Sequence, residues 1–160
     1  MLCLHGTKHC WPRLSMVSDI AWLMAASNIR WDEVLERARR LGSLRMILLG
    51  TALAGSLFEI SLPEPILRGV AADRSVPTLA AQVTAGLLQT QAPGSNILGA
   101  GAFHMRARER WRDRVRYFVR LTTRVGVEDW QMADLPSWLV FLYPVLRFPR
   151  LLRKYGMRIP

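Results

Sequence analysis

The chain is 160 residues long, 51% hydrophobic and 21% charged, which suits one compact domain with its own core and excludes a disordered or low-complexity protein. Its formal net charge of +10 comes from 22 basic against 12 acidic residues, a balance that favours polyanions such as nucleotides, nucleic acid or anionic lipid, or else a solvated basic surface. Strand-forming runs of Val, Ile and Thr are missing, so the expectation is a single all-α domain over residues 1–160, irregular and of about six to eight helices.

In chain order, a first helix is expected from Leu2 to about Trp11, stopped by Pro12 because proline disfavours the helical conformation in the residue before it. Ser15 or Ser18 is expected to cap a second helix that runs through Ile20, Trp22 and Leu23 to about Asn28. A third spans Trp31–Leu41, "WDEVLERARRL", with Asp32 and Glu33 in its first turn, Arg37, Arg39 and Arg40 toward its end and Gly42 as its stop. That order of charge complements the helix dipole at both ends.

Residues 43–60 read as a long buried helix, ended by the two prolines of "SLPEPI", with a short helix near Ile66–Ala72 and another near Val76–Thr90. The apolar run Met46–Phe58 is 13 residues long, well short of the roughly 20 needed to cross a bilayer. A mobile loop is expected near 89–104, rich in Gly, Ala, Ser and Asn without periodicity. Met105–Thr122 then shows Trp111, Val115, Phe118 and Val119 as an apolar stripe on an Arg-studded helix. The last segment, ending "WLVFLYPVLRFPRLLRKYG", is expected to form broken helix. From Arg106 onward there are 13 basic and 5 acidic residues, so the basic field is concentrated in the C-terminal third.

The polar residues of the first 24 positions carry the most chemistry. On a helix, His5 and His9 lie one turn apart on one face, with Lys8 beside them. Two histidines at that spacing can grip a metal, but a tetrahedral site wants three or four protein ligands and the glutamate of the zinc-protease motif is missing. The pair equally suits a surface or backbone-bonded role, or the binding of an anionic substrate. Lys8 and Arg13 can meet phosphate oxygens through charge-assisted hydrogen bonds, with Asp19 orienting Arg13; an ordinary Arg13–Asp19 ion pair fixing the turn at Pro12 is the structural alternative. Cys3 and Cys10 are seven residues apart and, without a secretory leader, fit a reduced cytoplasmic setting.

His5, Gly6, Lys8, His9, Trp11, Arg13, Leu14, Asp19 and Ala21, followed by "WDEVLERARRLG" and "LPSWLVFLYPVLRFPRLLRKYG", resemble the C-terminal helical part of a poorly characterised bacterial nucleotidyltransferase family often associated with polysaccharide-related gene clusters. The resemblance implies transfer of a nucleoside monophosphate from a nucleoside triphosphate to an acceptor hydroxyl, with Mg2+ held by carboxylates on a small sheet. It also implies that His5, Lys8, His9, Arg13 and Asp19 form the nucleotide and phosphate site. The Gly-Ser turn and Asp-x-Asp pair expected upstream of the His-Gly-x-Lys-His motif have no counterpart here, and none of the 12 acidic residues forms an Asp-x-Asp pair. The expectation is therefore an N-terminally truncated, inactive member, in which apolar surface left by a missing sheet would allow self-association. The competing reading is a basic helical interaction module that meets an anionic membrane surface or nucleic acid through the segment after Arg106. Nucleic-acid binding is less favoured, because the apolar stripe is expected to be buried.

Overall fold

The computed structural model describes residues 1–88 and 97–123. Among them are eight α-helices and no strand: α1 (Leu2–Lys8), α2 (Leu14–Ala26), α3 (Trp31–Leu41), α4 (Leu44–Phe58), α5 (Glu64–Ala72), α6 (Ser75–Leu88), α7 (Ile97–Ala107) and α8 (Trp111–Thr123). The chain divides into two compact units, Met1–Arg114 and Val115–Pro160. Of the second, only the Val115–Thr123 end of α8 is among the described residues. The broken helix and membrane segment expected near the C-terminus lie outside them. No described helix is long and apolar enough to cross a membrane.

The first unit is built around α4. Its apolar sequence leaves few solvent-facing positions, and α1, α2, α3, α5 and α6 all pack on it. Leu49, Leu53 and Ala54 join Trp11, Val17, Ile20, Leu79, Val83 and Phe103 in the larger core, while Leu48 joins Leu35, Ile66 and Val76 in a smaller one. Gly50 lets α1 approach closely, since a Cβ there would lie 2.6 Å from Cys3 Sγ. The hydroxyl of Thr51, in the middle of this apolar helix, donates to Ile47 O at 3.0 Å and so stays satisfied.

Helix ends explain where local expectation and structure part. The first helix stops at Lys8 rather than Trp11, in a Schellman motif: Trp11 N–H donates to Gly6 O at 2.9 Å and Cys10 N–H to Thr7 O at 3.2 Å. Cys10 and Trp11 both take the left-handed conformation, at φ 57° and 53°, where glycine is the usual occupant. The second helix has Arg13 as its extended N-cap with no side-chain cap. Ser15 and Ser18 do not cap it; both are already inside the helix, where Ser18 Oγ donates to Ser15 O at 2.9 Å. As expected, α3 ends at Gly42, which is left-handed at φ 68°. In α5, Pro65 occupies the first turn, where its missing N–H is harmless, so the helix starts at Glu64 rather than Ile66.

Two expectations fail beyond residue 96. Residues 97–104, expected as loop, belong to α7; residues 89–96 lie outside the described residues. The single helix expected over Met105–Thr122 is broken at residues 108–110. The break has a tertiary cause. Glu109 Oε1 accepts the backbone N–H of Arg45, one of the unsatisfied donors at the start of α4. Arg110 Nη2 donates to Arg39 O at 2.6 Å and Arg40 O at 2.8 Å, two carbonyls at the end of α3. Arg45 Nε pairs with Asp73 Oδ2 at 2.6 Å while its Nη1 donates to Arg106 O at 2.6 Å. Asp73 Oδ1 in turn accepts Ser75 N–H at 2.9 Å, at the start of α6. Unwinding three residues thus supplies partners to the ends of two other helices, α3 and α4.

Candidate functional site

The cationic residues of the first 24 positions all reach solvent. His5, Lys8, His9, Arg13 and Asp19 are exposed, whereas Gly6, Thr7, Cys10 and Trp11 between them are buried. The stretch therefore has two jobs on two faces. Gly6 and Trp11 are the structural ones: the Trp11 ring lies flush on the Gly6 backbone, so a Cβ added at Gly6 would come within 2.5 Å of it. Lys8 and His5 sit in the last turn of α1, where positive charge complements the helix dipole.

The expected helical pairing of the histidines is found, with the His5 and His9 rings 4.7 Å apart and tilted by 55°. The expected Arg13–Asp19 pair is not: no ion pair joins these two residues. Because Arg13 is the N-cap and α2 begins at the next residue, Asp19 lies roughly 9 Å further along the axis and on another side of the helix. Asp19 therefore does not hold Arg13. Metal ligation by His5 and His9 gains no third partner, since no group of three or more His, Cys, Asp or Glu among the described residues could hold an ion.

Sequence reading overlooked one partner of this region. His104, on α7, places Nε2 3.6 Å from Cys10 Sγ, and no local signal links residues 94 positions apart. Burial lowers the His104 imidazole from 6.5 to about 4, and the charges of Arg108 and His9 push the same way. Burial also raises the Cys10 thiol, and lifts Cys3 to about 11. Both cysteines are thus neutral thiols near pH 7 and not activated nucleophiles.

The His104 shift has a definite consequence for stability. Its folded-state value lies below its unfolded one, so the unfolded chain takes up the proton first as pH falls. The neutral imidazole's contribution is complete above pH 6.5 and is lost as pH drops toward about 4. Urea unfolding should show a loss on the order of 1–2 kcal/mol across that window, after allowance for solvent reaching the ring, and His104→Gln should remove that part of the slope. Equal slopes for the two proteins would show that His104 does not titrate as described.

The Arg-rich region after Arg106 is only partly a solvated face. Arg108 Nη1 donates to His104 O at 2.8 Å, Arg110 to the α3 carbonyls and Arg114 Nε to Arg108 O at 2.8 Å. The Arg108 and Arg110 guanidinium groups thus close helix ends, and that of Arg114 ties the segment between α7 and α8.

Comparison with known proteins bears on the same stretch that holds the exposed cations. Residues 1–59 match a family described as an uncharacterised nucleotidyltransferase. The matched stretch is α1 to α4, ending on Glu59, the left-handed residue that closes α4. Neither the curated proteins nor the solved structures include a match.

Proposed function

We propose that this chain supplies a helical, triphosphate-binding part of a nucleotidyl-transfer site. Lys8 and Arg13 are the direct phosphate ligands in this reading, and His5 and His9 stand beside them on α1. The observation that carries it is the coincidence of the family-matched stretch with an exposed cationic set built on two helix ends. The first-turn amides of α2, beside Arg13, have no side-chain cap, and such amides favour an anion.

Mg2+ and a nucleoside triphosphate are the cofactor and substrate that the family implies. The described carboxylates do not fit a Mg2+ site: no group of three or more His, Cys, Asp or Glu among the described residues could hold an ion, Asp73 is bonded to Arg45 and Ser75, Glu109 closes α4, and Glu33, Glu36 and Glu64 pair with arginines three or four residues away. No Asp-x-Asp pair occurs anywhere in the sequence. The contribution proposed for this chain is therefore binding and charge neutralisation of the phosphates, without nucleotidyl transfer by the chain alone. The acceptor hydroxyl is left open by these residues.

Lys8→Ala and Arg13→Ala should each weaken nucleoside triphosphate binding about ten-fold, the order expected for loss of one charge-assisted hydrogen bond. Both side chains are exposed, so unfolding free energies should move by no more than about 0.5–1 kcal/mol. Calorimetric titration with the triphosphate measures the first and urea unfolding the second. Unchanged affinity in both folded variants would overturn the reading.

A further inference from the structure

Two large apolar side chains stand in solvent where the end of α3 meets the segment between α7 and α8. Leu41 is 66% and Trp111 68% exposed, although the stripe that carries Trp111 reads as a buried one in the sequence. Hydrogen bonds fix their neighbourhood. Arg110, which precedes Trp111, donates to the carbonyls of Arg39 and Arg40, which precede Leu41, at 2.6 and 2.8 Å. Gly42, the left-handed residue that ends α3, backs onto the same side chain, since a Cβ there would lie 3.1 Å from Arg110 Cδ. All of these residues belong to the first unit.

The same corner is basic. Arg37, exposed, lies one turn before Leu41 on one face of α3, and the Arg112 guanidinium is 6.0 Å from the centroid of the Trp111 ring. Arg37, Arg39, Arg110 and Arg112 form no ion pair among the described residues, whereas Arg40 is matched by Glu36. Asp113, whose carboxylate also lies beside Gly42, offsets one of the four charges. Glu109 is taken up by the Arg45 amide.

We infer that this corner docks the protein on an anionic lipid surface, with Leu41 and Trp111 entering the headgroup region and Arg37, Arg39 and Arg112 meeting lipid phosphates. Charge complementarity selects an anionic partner, and Leu41 decides between lipid and nucleic acid. An aliphatic side chain offers a base no stacking face, but it gains by leaving water for the acyl boundary. An indole favours the same boundary, and arginine stems lie along apolar surface while their heads stay with phosphate. The inference is independent of the triphosphate reading, which uses the ends of α1 and α2.

Co-sedimentation of the full chain with vesicles tests the surface. Vesicles of phosphatidylglycerol mixed with phosphatidylcholine should bind it, and more weakly as salt rises, while phosphatidylcholine alone should not. Arg39→Gln and Arg112→Gln should each weaken binding about five-fold, and Trp111→Ala about ten-fold or more. Leu41→Gln, at an exposed position on the other helix, should act in the same direction as Trp111→Ala. Arg30→Gln removes the same charge at the opposite end of α3 and should leave affinity unchanged. Wild-type affinity in both Trp111→Ala and Leu41→Gln, with urea unfolding showing both folded, overturns the proposal. So does an equal loss in Arg30→Gln and Arg39→Gln, because binding would then follow total charge. A chain that binds a single-stranded oligonucleotide but no anionic vesicle overturns it in favour of nucleic acid.

Discussion

Trp11→Ala should lower the unfolding free energy by about 3–5 kcal/mol, the range for emptying a fully buried indole site. Trp11 is wholly shielded from solvent and touches the core shared by α1, α2, α4, α6 and α7. Its side chain also completes the Schellman motif, because the ring covers Gly6 while the Trp11 amide bonds to the Gly6 carbonyl. One feature of the site works against stability: the indole Nε1–H is buried with no hydrogen-bond partner. Such an orphan donor costs about 1–3 kcal/mol, so Trp11→Phe, which removes it along with some volume, should cost clearly less than Trp11→Ala. Urea unfolding of the two variants separates these contributions. A loss below about 1 kcal/mol for Trp11→Ala would mean that the neighbouring core collapses into the gap.

Arg45→Met should cost about 2–4 kcal/mol, in the direction of breaking a shielded ion pair by removing one partner. The Arg45 and Asp73 side chains are only 12% and 20% exposed. Removing the guanidinium leaves the Asp73 carboxylate short of a partner and takes the Arg45 donor from the Arg106 carbonyl, while the Arg108 carbonyl keeps its bond from Arg114 Nε. By contrast, Arg40 and Glu36 pair at 75% and 60% exposure, where solvent and side-chain entropy reduce the value to about 0–0.5 kcal/mol. Arg40→Ala should therefore be nearly silent by the same measurement. A double-mutant cycle between Arg45 and Asp73 should return a coupling of about 1–3 kcal/mol; additive losses would show that the two residues act independently.

Much of the helical pattern could be read locally. In α3, acidic residues open the helix, arginines close it and Gly42 stops it, and all of those signals act within one or two turns. The apolar length of α4 likewise foretold a buried, non-spanning helix. Of the candidate site, the helical spacing of His5 and His9 was legible because periodicity alone brings residues four apart together. The Arg13–Asp19 pairing was not, since it depended on where α2 starts. That boundary follows from Cys10 and Trp11 adopting left-handed backbone without a glycine.

What the sequence determined by itself is the helical class, most of the element boundaries and the cationic character of the first two helix ends. These follow from period, charge order and chain-breaking residues, which act over a few positions. Only the tertiary structure decided that Met105–Thr122 is two helices, that Arg110 and Glu109 close the ends of α3 and α4, and that His104 meets Cys10. Those bonds join residues 64 to 94 positions apart. The unsatisfied amides and carbonyls at distant helix ends outweighed the local preference for continuing a helix, and no window along the chain contains both partners.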